Sequence, residues 1–216
     1  MSTFLEQKSV IRFAEISLNK ILPKGFNGRF FLAGGAFKSV IHGKLPHDLD
    51  IWSVSGTERR CLLNSLIQQG AAILRDNKPY QTVLDCNGYQ VDVVYKSKTS
   101  LEHCLSRFDI SLSAIGVEYN LGHLRTKIHP LAFESVKRKE MLLLKPIANW
   151  EYALVTLERL RRYAEELNFT IPASEEEHLW NIFKKQEPTM RQDMIEKYHR
   201  VGRDQYHILE ELCHHQ

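Results

Sequence analysis

The sequence has few cysteines and no hydrophobic run long enough to cross a membrane. No stretch of about 18 apolar residues occurs, and Glu6, Lys8 and Arg12 interrupt the first apolar residues, where a secretory signal would need a continuous run. The 4 cysteines among 216 residues form no CxxC pair and no disulfide pattern. We therefore expect a protein of the reducing cytoplasm without membrane contact.

A strong charge of one sign is also missing. The formal net charge is +3, with 16 Lys and Arg against 11 Asp and Glu in residues 1–133 and 13 against 15 in residues 134–216. A protein that grips long nucleic acids by charge alone usually has a more basic surface, so the totals do not favour that class. Repeats and low-complexity tracts are absent, and 43% hydrophobic residues suffice for a globular core, which excludes a largely disordered chain.

Local patterns predict a mixed α/β head followed by helices. In chain order they predict a helix over 4–22, a strand over 30–33, a helix over 36–42, a turn at 43–46, a strand over 49–54, a helix over 57–70, and strands over 80–84 and 89–95 joined by an Asn-Gly turn. Residues 110–115 fit either helix or strand. A helix over 150–167 and two further helices complete the chain. We expect an α+β fold with a head over 1–135 and a smaller all-helical neck domain over 140–216.

Glycines and carboxylates accompany the predicted strands. Gly34 and Gly35 end a buried strand, where free backbone N–H groups at a helix start can meet phosphate oxygens. Asp48 and Asp50 stand two residues apart in the next predicted strand, so their side chains point to the same face. Asp92 has apolar neighbours in a later predicted strand. Three such carboxylates favour a site for two Mg²⁺ ions, or Mn²⁺, in phosphoryl transfer. A Gly-Gly pair alone is usually a turn and a DxD pair alone is often solvated, so the hypothesis depends on their combination.

The stretch over 32–52, LAGGAFKSVIHGKLPHDLDIW, contains a longer pattern. It resembles the DNA polymerase β-type nucleotidyltransferase superfamily, most closely the bacterial-type tRNA nucleotidyltransferase (CCA-adding enzyme) and poly(A) polymerase group. That group reads GG-x-V-R-D, a short helix, then G-x-x-P-x-D-h-D, which is matched here by Gly34, Gly35, Gly43, Pro46, Asp48 and Asp50. Residues 107–114, RFDISLSA, are similar to its R-R-D-F-T-I-N-A motif, and 157–171 to its neck segment. The resemblance covers residues 28–172 and implies a polymerase β-like head with a mixed sheet.

The resemblance also implies roles for individual residues. The metal-holding and catalytic carboxylates would be Asp48, Asp50 and Asp92. The triphosphate of an NTP would lie on Gly34, Gly35 and Lys38, and Asp109 would orient the sugar or a neighbouring arginine. The reaction implied is transfer of an NMP from an NTP to an acceptor hydroxyl with release of pyrophosphate.

The neck departs from the group's pattern. The E-D-x-x-R motif that selects the base in CCA-adding enzymes falls on Tyr152, Ala153 and Thr156, which keep none of its side chains. Helical spacing instead places Tyr152, Thr156, Arg159 and Tyr163 on one stripe away from the apolar face. We hypothesise that Tyr152 or Tyr163 stacks on the base while Arg159 and Arg162 contact phosphates. The alternative is an ordinary amphipathic helix.

Three functions remain open at this point. The first is nucleotide addition to an RNA 3′ end of tRNA-like type, which the head and neck resemblance favours. The second is nucleotidylation of a protein or small-molecule hydroxyl, as in toxin-like or antibiotic-modifying enzymes, which the missing base-selecting motif favours. The third is a non-catalytic nucleotide-binding protein, against which the three carboxylates argue because a binder has no need of them. In each case NTP is the expected ligand.

Overall fold

One mixed sheet of seven strands forms the centre of the head. The computed structural model describes residues 6–43, 46, 48–203 and 205–214. The sheet has the strand order β3-β4-β5-β2-β1-β6-β7, with β2 and β5 parallel and the other neighbours antiparallel. The strands are β1 (Arg29–Ala33), β2 (Asp48–Ser53), β3 (Ala72–Asn77), β4 (Gln81–Cys86), β5 (Tyr89–Val94), β6 (Ile115–Asn120) and β7 (His123–Ile128).

Helices flank the sheet and then form the C-terminal region. They are α1 (Gln7–Ile21), α2 (Ala36–His42), α3 (Gly56–Gln68), α4 (Leu101–Leu105), α5 (Pro130–Arg138), α6 (Ala153–Leu167), α7 (Ala173–Lys184), α8 (Pro188–Val201) and α9 (Ile208–His214). Short 3₁₀ helices cover Ser111–Ser113 and Trp150–Tyr152. Helix α6 packs against α7 and α8, and α1 packs against β6 and β7.

Several predicted elements are confirmed, together with their local causes. Strand β1 is almost wholly buried, as its apolar run requires. The β4–β5 hairpin turns at Asn87 and Gly88, whose φ values of 54° and 82° suit the tight turn that an Asn-Gly pair favours. Ser55 caps the N-terminus of helix α3, and its side chain accepts a hydrogen bond from the backbone N–H of Glu58. In the predicted turn at 43–46, residues 44 and 45 lie outside the described residues.

Other elements differ from the sequence prediction. Strands β3, β6 and β7 and helix α5 were not predicted. Residues 110–115, which fitted helix or strand, divide between a 3₁₀ helix and the first residue of β6. The expectation of two helices after the neck helix is wrong, because the described residues there form three, α7, α8 and α9.

The hydrophobic core is continuous between the sheet and the C-terminal helices. Buried residues such as Leu32 and Val91 of the sheet belong to the same cluster as Leu157 and Leu160 of α6. The α+β class with a mixed sheet and a following helical region is therefore confirmed. The division at residues 135 and 140 stays a prediction. None of the described helices is both long and apolar enough to span a membrane.

Candidate active site

The parallel strands β2 and β5 bring the predicted carboxylates together. Asp50 on β2 is the register partner of Asp92 on β5. Asp48 lies two residues before Asp50, and side chains two apart in a strand share a face. Asp48 is exposed, Asp50 is partly buried, and Asp92 is 8% exposed. The predicted acidic cluster thus has a common location on neighbouring strands.

Burial and mutual repulsion change the acidity of this cluster. The pKa of Asp50 is raised to about 7, first by burial and then by the charges of Asp48 and Asp92, while Arg159 opposes the shift. The pKa of Asp92 is also raised, mainly by burial. Two ionised carboxylates side by side in a poorly solvated place are unfavourable unless a cation joins them.

Asp92 is held by two amide side chains. Its Oδ2 accepts a hydrogen bond from Gln81 Nε2 at 3.2 Å, and its Oδ1 accepts one from Gln90 Nε2 at 3.0 Å. The described residues offer no such donor to Asp48 or Asp50. As these side chains stand, no three His, Cys, Asp or Glu residues in the described part of the chain form a group that could hold a metal ion. Within the described part of the chain, Asp92 is thus the carboxylate of the three that accepts side-chain hydrogen bonds, and Asp48 and Asp50 accept none.

The Gly34–Gly35 pair makes room for other side chains of the site. Gly34 has φ 127°, and a Cβ there would stand 2.7 Å from Oδ2 of Asp50. A Cβ on Gly35 would stand 2.8 Å from the hydroxyl of Tyr163 in α6. Both distances are shorter than real Cβ atoms tolerate. The two glycines therefore allow the β1–α2 turn to approach strand β2, which carries Asp50, and helix α6, which carries Tyr163.

Lys38 of α2 links the head to α6. Its ammonium forms an ion pair with Glu166 and lies 4.6 Å from the centre of the Tyr163 ring. The guanidinium carbon of Arg162 lies 5.6 Å from the centre of the same ring, and the Nε of Arg162 is 4.0 Å from Glu166. Glu166 therefore partly neutralises two of the predicted phosphate-binding cations.

A cavity of 520 Å³ opens over these residues. Its described lining includes Asp48, Asp50 and Glu166, together with seven cationic residues: Lys38, Lys96, Lys98, Arg107, Arg159, Arg162 and Arg203. Three of these seven, Lys38, Arg159 and Arg162, were predicted from the sequence as phosphate contacts. The other four, Lys96, Lys98, Arg107 and Arg203, were not. An excess of positive charge around an acidic centre suits a polyanionic ligand bound with a cation.

Asp109 and Thr156 contact each other rather than the cavity. Thr156 Oγ1 donates to Asp109 Oδ2 at 3.2 Å, and the backbone N–H of Asn149 donates to Asp109 Oδ1 at 3.1 Å. Both residues are buried, at 8% and 2% exposure, and neither lines the cavity. Their predicted nucleotide contacts stay predictions, while their visible role is to join the 107–114 segment to α6.

The predicted aromatic stripe is not a continuous face of α6. Helix α6 begins at Ala153, so Tyr152 belongs to the preceding 3₁₀ helix, where it lies 5.5 Å from the ammonium of Lys197. Tyr152 is 39% exposed and does not line the 520 Å³ cavity, whereas Tyr163 is 6% exposed and does. Of the two candidates for base stacking, the structure brings Tyr163 to the cavity. Arg159 and Arg162 are there too.

The mixed seven-stranded sheet and the helical region that follows it form a fold that is also known from other proteins. Solved structures of tRNA nucleotidyltransferases share it with this chain. A tRNA nucleotidyltransferase complexed with a primer tRNA and an incoming ATP analog is similar with a TM-score of 0.58 and 21% identity, over 87% of this chain and 57% of that chain. A tRNA-processing enzyme with CTP is similar with a TM-score of 0.58 and 19% identity, over 94% and 57%.

A CCA-adding enzyme of Thermotoga maritima complexed with tRNA has the same fold. Its TM-score is 0.57 at 15% identity, over 89% of this chain and 47% of that chain. The chain thus spans little more than half the length of the first two structures and less than half of this one. No family model matches the sequence. No curated protein matches it either.

Proposed function

We propose that the chain is a metal-dependent nucleotidyltransferase that moves an NMP from an NTP to an acceptor hydroxyl. The observation that carries the proposal is that Asp48 and Asp50 line a cavity together with seven cationic residues, while Asp92 on the neighbouring strand is the register partner of Asp50. In the reaction, the acceptor oxygen bonds to the α-phosphorus and the bond from that phosphorus to the bridging oxygen breaks. Pyrophosphate leaves with the electron pair, and the hydroxyl proton passes to solvent.

The residues around the cavity would bind and orient the NTP. Arg159 lines the cavity, and its positive charge opposes the rise in the pKa of Asp50. Arg162 and Tyr163 line the cavity from the same helix. We assign phosphate binding to Lys38, Arg159 and Arg162, and contact with the base to Tyr163. Gly34 and Gly35 contribute by allowing these groups to approach one another.

The donor chemistry of Asp48 and Asp50 fits Mg²⁺ or Mn²⁺. Both are carboxylates without a hydrogen-bond donor among the described residues, and oxygen ligands are those that Mg²⁺ prefers. When bound, the metal ions would supply charge neutralisation on the phosphates and a lower pKa of the attacking hydroxyl. Asp92 would join this set on exchanging its amide partners, Gln81 and Gln90, for the cation.

We propose an RNA 3′ end as the acceptor. Support comes from the fold, which is shared with structures that hold a primer tRNA or a tRNA. The base-selecting E-D-x-x-R motif is replaced here, and its last position, Thr156, is buried against Asp109. A protein or small-molecule hydroxyl is therefore the second candidate acceptor.

The test is label transfer from each α-³²P-labelled NTP in the presence of Mg²⁺, with total tRNA in one set and no RNA in the other. Label on RNA with one preferred NTP supports the proposal and identifies the nucleotide. Label on protein, or on a product that forms only with cell extract, supports the second acceptor class. NTP binding without transfer in either set would contradict nucleotidyl transfer and leave a binding protein.

A further inference from the structure

Lys98 is a buried cation that forms no ion pair with a carboxylate of the described residues. It follows β5, is 2% exposed and lines the cavity. Within the described residues no carboxylate lies within ion-pair distance of it. Burial, followed by the positive charges of Lys96 and Arg107, lowers the pKa of Lys98, and the Cys104 thiol opposes this shift. Burying a cation among other cations costs free energy unless an anion compensates it.

The surroundings of Lys98 are fixed in place. Its backbone N–H donates to the carbonyl of Ser53 at 3.0 Å, and its ammonium lies 5.6 Å from the centre of the Trp52 ring. Trp52 donates its Nε1–H to the carbonyl of Ala33 at 3.1 Å and meets Phe108 edge-to-face at 5.8 Å. A cation–π contact offsets only part of the cost of burial. These contacts hold Lys98 in position at the wall of the cavity.

Lys98 also has a defined position relative to the acidic centre. Trp52 follows Asp50 by two residues on β2 and so lies on the same face, about 7 Å further along the strand. Lys38 and Arg162, in contrast, are partly neutralised by Glu166. By comparison, no carboxylate of the described residues forms an ion pair with Lys96, Lys98 or Arg107, which we define as the Lys98 corner.

We propose that the Lys98 corner is a phosphate-binding subsite, beside the acidic centre and separate from the Lys38–Glu166 side of the cavity. The inference rests on the proposed function, because both substrates of that reaction carry phosphate. The group can come from the triphosphate of the NTP or from the phosphodiester next to the acceptor hydroxyl. Trp52 and Phe108 beside the cations add the aromatic surface that single-stranded nucleic acid sites commonly combine with positive charge.

The test compares wild-type protein with Lys98→Met in calorimetric binding experiments without turnover. The probes are inorganic pyrophosphate, ATP, AMP and a 5′-phosphorylated oligoribonucleotide. The subsite predicts that Lys98→Met weakens at least one phosphate-rich probe roughly tenfold or more. If the affinity falls only for pyrophosphate and ATP and is unchanged for AMP, the Lys98 corner binds the triphosphate of the NTP. Loss confined to the oligonucleotide, with a salt dependence lower by about one phosphate contact, assigns it to the acceptor.

Lys184→Met is the matched control, because Lys184 is exposed in α7 away from the cavity. It should change none of these affinities. Thermal unfolding separates a ligand site from a structural one: without ligand, Lys98→Met should melt at the same or a higher temperature, since an uncompensated cation has been removed. Unchanged affinity for all four probes would overturn the subsite, as would a lower melting temperature with equal binding. Weakened phosphate binding in a protein that transfers no label would uphold the subsite and contradict only the proposed reaction.

Discussion

Gly34 and Asp50 stand so close that a side chain on the first would displace the second. A Cβ on Gly34 would lie 2.7 Å from the Asp50 carboxylate, and the φ of 127° at Gly34 is itself unfavourable for any other residue. The glycine thus has two functions, one in the backbone turn and one in leaving space for the carboxylate.

Gly34→Ala should therefore lose both stability and nucleotidyl transfer. Backbone strain alone costs on the order of 1–3 kcal/mol. Displacement of the Asp50 carboxylate from its position should abolish nucleotidyl transfer. Gly122→Ala is the control, because Gly122 has φ 84° but no atom within 4 Å of its Cβ position. It should lower the melting temperature and leave the activity of the folded protein unchanged. Full activity in folded Gly34→Ala would show that the close approach to Asp50 does not matter.

Asp50→Asn should stabilise the metal-free protein in a pH-dependent manner. The pKa of Asp50 is raised from 3.8 to about 7 in the fold, so the folded protein binds the Asp50 proton more tightly than the unfolded chain does. The stability that this proton contributes is fully present below a pH of about 4 and is lost as the pH rises through about 7. Asparagine carries no charge at any pH. The gain in melting temperature over wild type, measured with EDTA, should accordingly be larger at pH 8 than at pH 5 and reflect a few kcal/mol at most.

The exposed Asp193 of α8 provides the control for that experiment. Asp193→Asn should give the same small difference from wild type at both pH values. A gain for Asp50→Asn that is constant across pH, or larger at pH 5, would contradict the assignment of a raised pKa to Asp50.

Divalent metal should stabilise wild type through the same carboxylates. At pH 8, adding Mg²⁺ or Mn²⁺ should raise the melting temperature of wild type as its concentration passes the dissociation constant. Asp48→Asn and Asp50→Asn should each lose most of this response, whereas Asp193→Asn should keep it. An equal response in all four proteins would place the metal elsewhere.

The sequence predicts the centre of this fold better than its edges. Strand β1 and the Asn87–Gly88 hairpin follow from an apolar run and from turn chemistry that act locally. Strand β3 was missed because all six of its residues are exposed, so it shows no alternation of apolar and polar residues. The β6–β7 hairpin was missed because Leu121 occupies a turn position with φ 51°, where asparagine would have been recognisable.

The site shows the same division. Asp48, Asp50 and Asp92 were found because strand alternation and apolar flanks mark them in sequence. Most of the cationic lining was not predicted. The net charge of +3 does not reveal that Lys98 and Arg203, more than 100 residues apart in the sequence, line the same cavity. Helical spacing also failed to show that Thr156 is covered by Asp109, since burial on that side depends on a segment distant in sequence.

Tyr163 and Tyr152 should differ in their effect on nucleotide binding. Tyr163→Leu should weaken ATP binding several-fold, because the ring lines the cavity and contacts Lys38. Tyr152→Leu should leave it unchanged, because that ring lies outside the cavity beside Lys197. Calorimetric titration of both variants checks the pair. Weaker binding in Tyr152→Leu alone would show that the base lies outside the 520 Å³ cavity.

Removing the carboxylate of Glu166 should tighten NTP binding. Glu166 partly neutralises Lys38 and Arg162 inside the cavity. A solvent-exposed ion pair contributes up to about 1 kcal/mol, which corresponds to roughly fivefold in affinity. Glu166→Gln should show this gain at low salt, whereas Glu177→Gln, at an exposed position of α7, should not. Weaker binding in Glu166→Gln would mean that Glu166 positions Lys38 more than it competes with phosphate.

The most direct test of the central claim is nucleotidyl transfer by wild type, Asp48→Asn and Asp193→Asn, with NTP binding measured on the same preparations. The account predicts transfer of label from an α-³²P-labelled NTP by wild type and Asp193→Asn. It predicts no detectable transfer by Asp48→Asn, although that variant folds, because Asp48 is exposed and its charge serves the reaction rather than the core. Transfer by Asp48→Asn at the wild-type rate would contradict the assignment of this acidic strand as the catalytic centre.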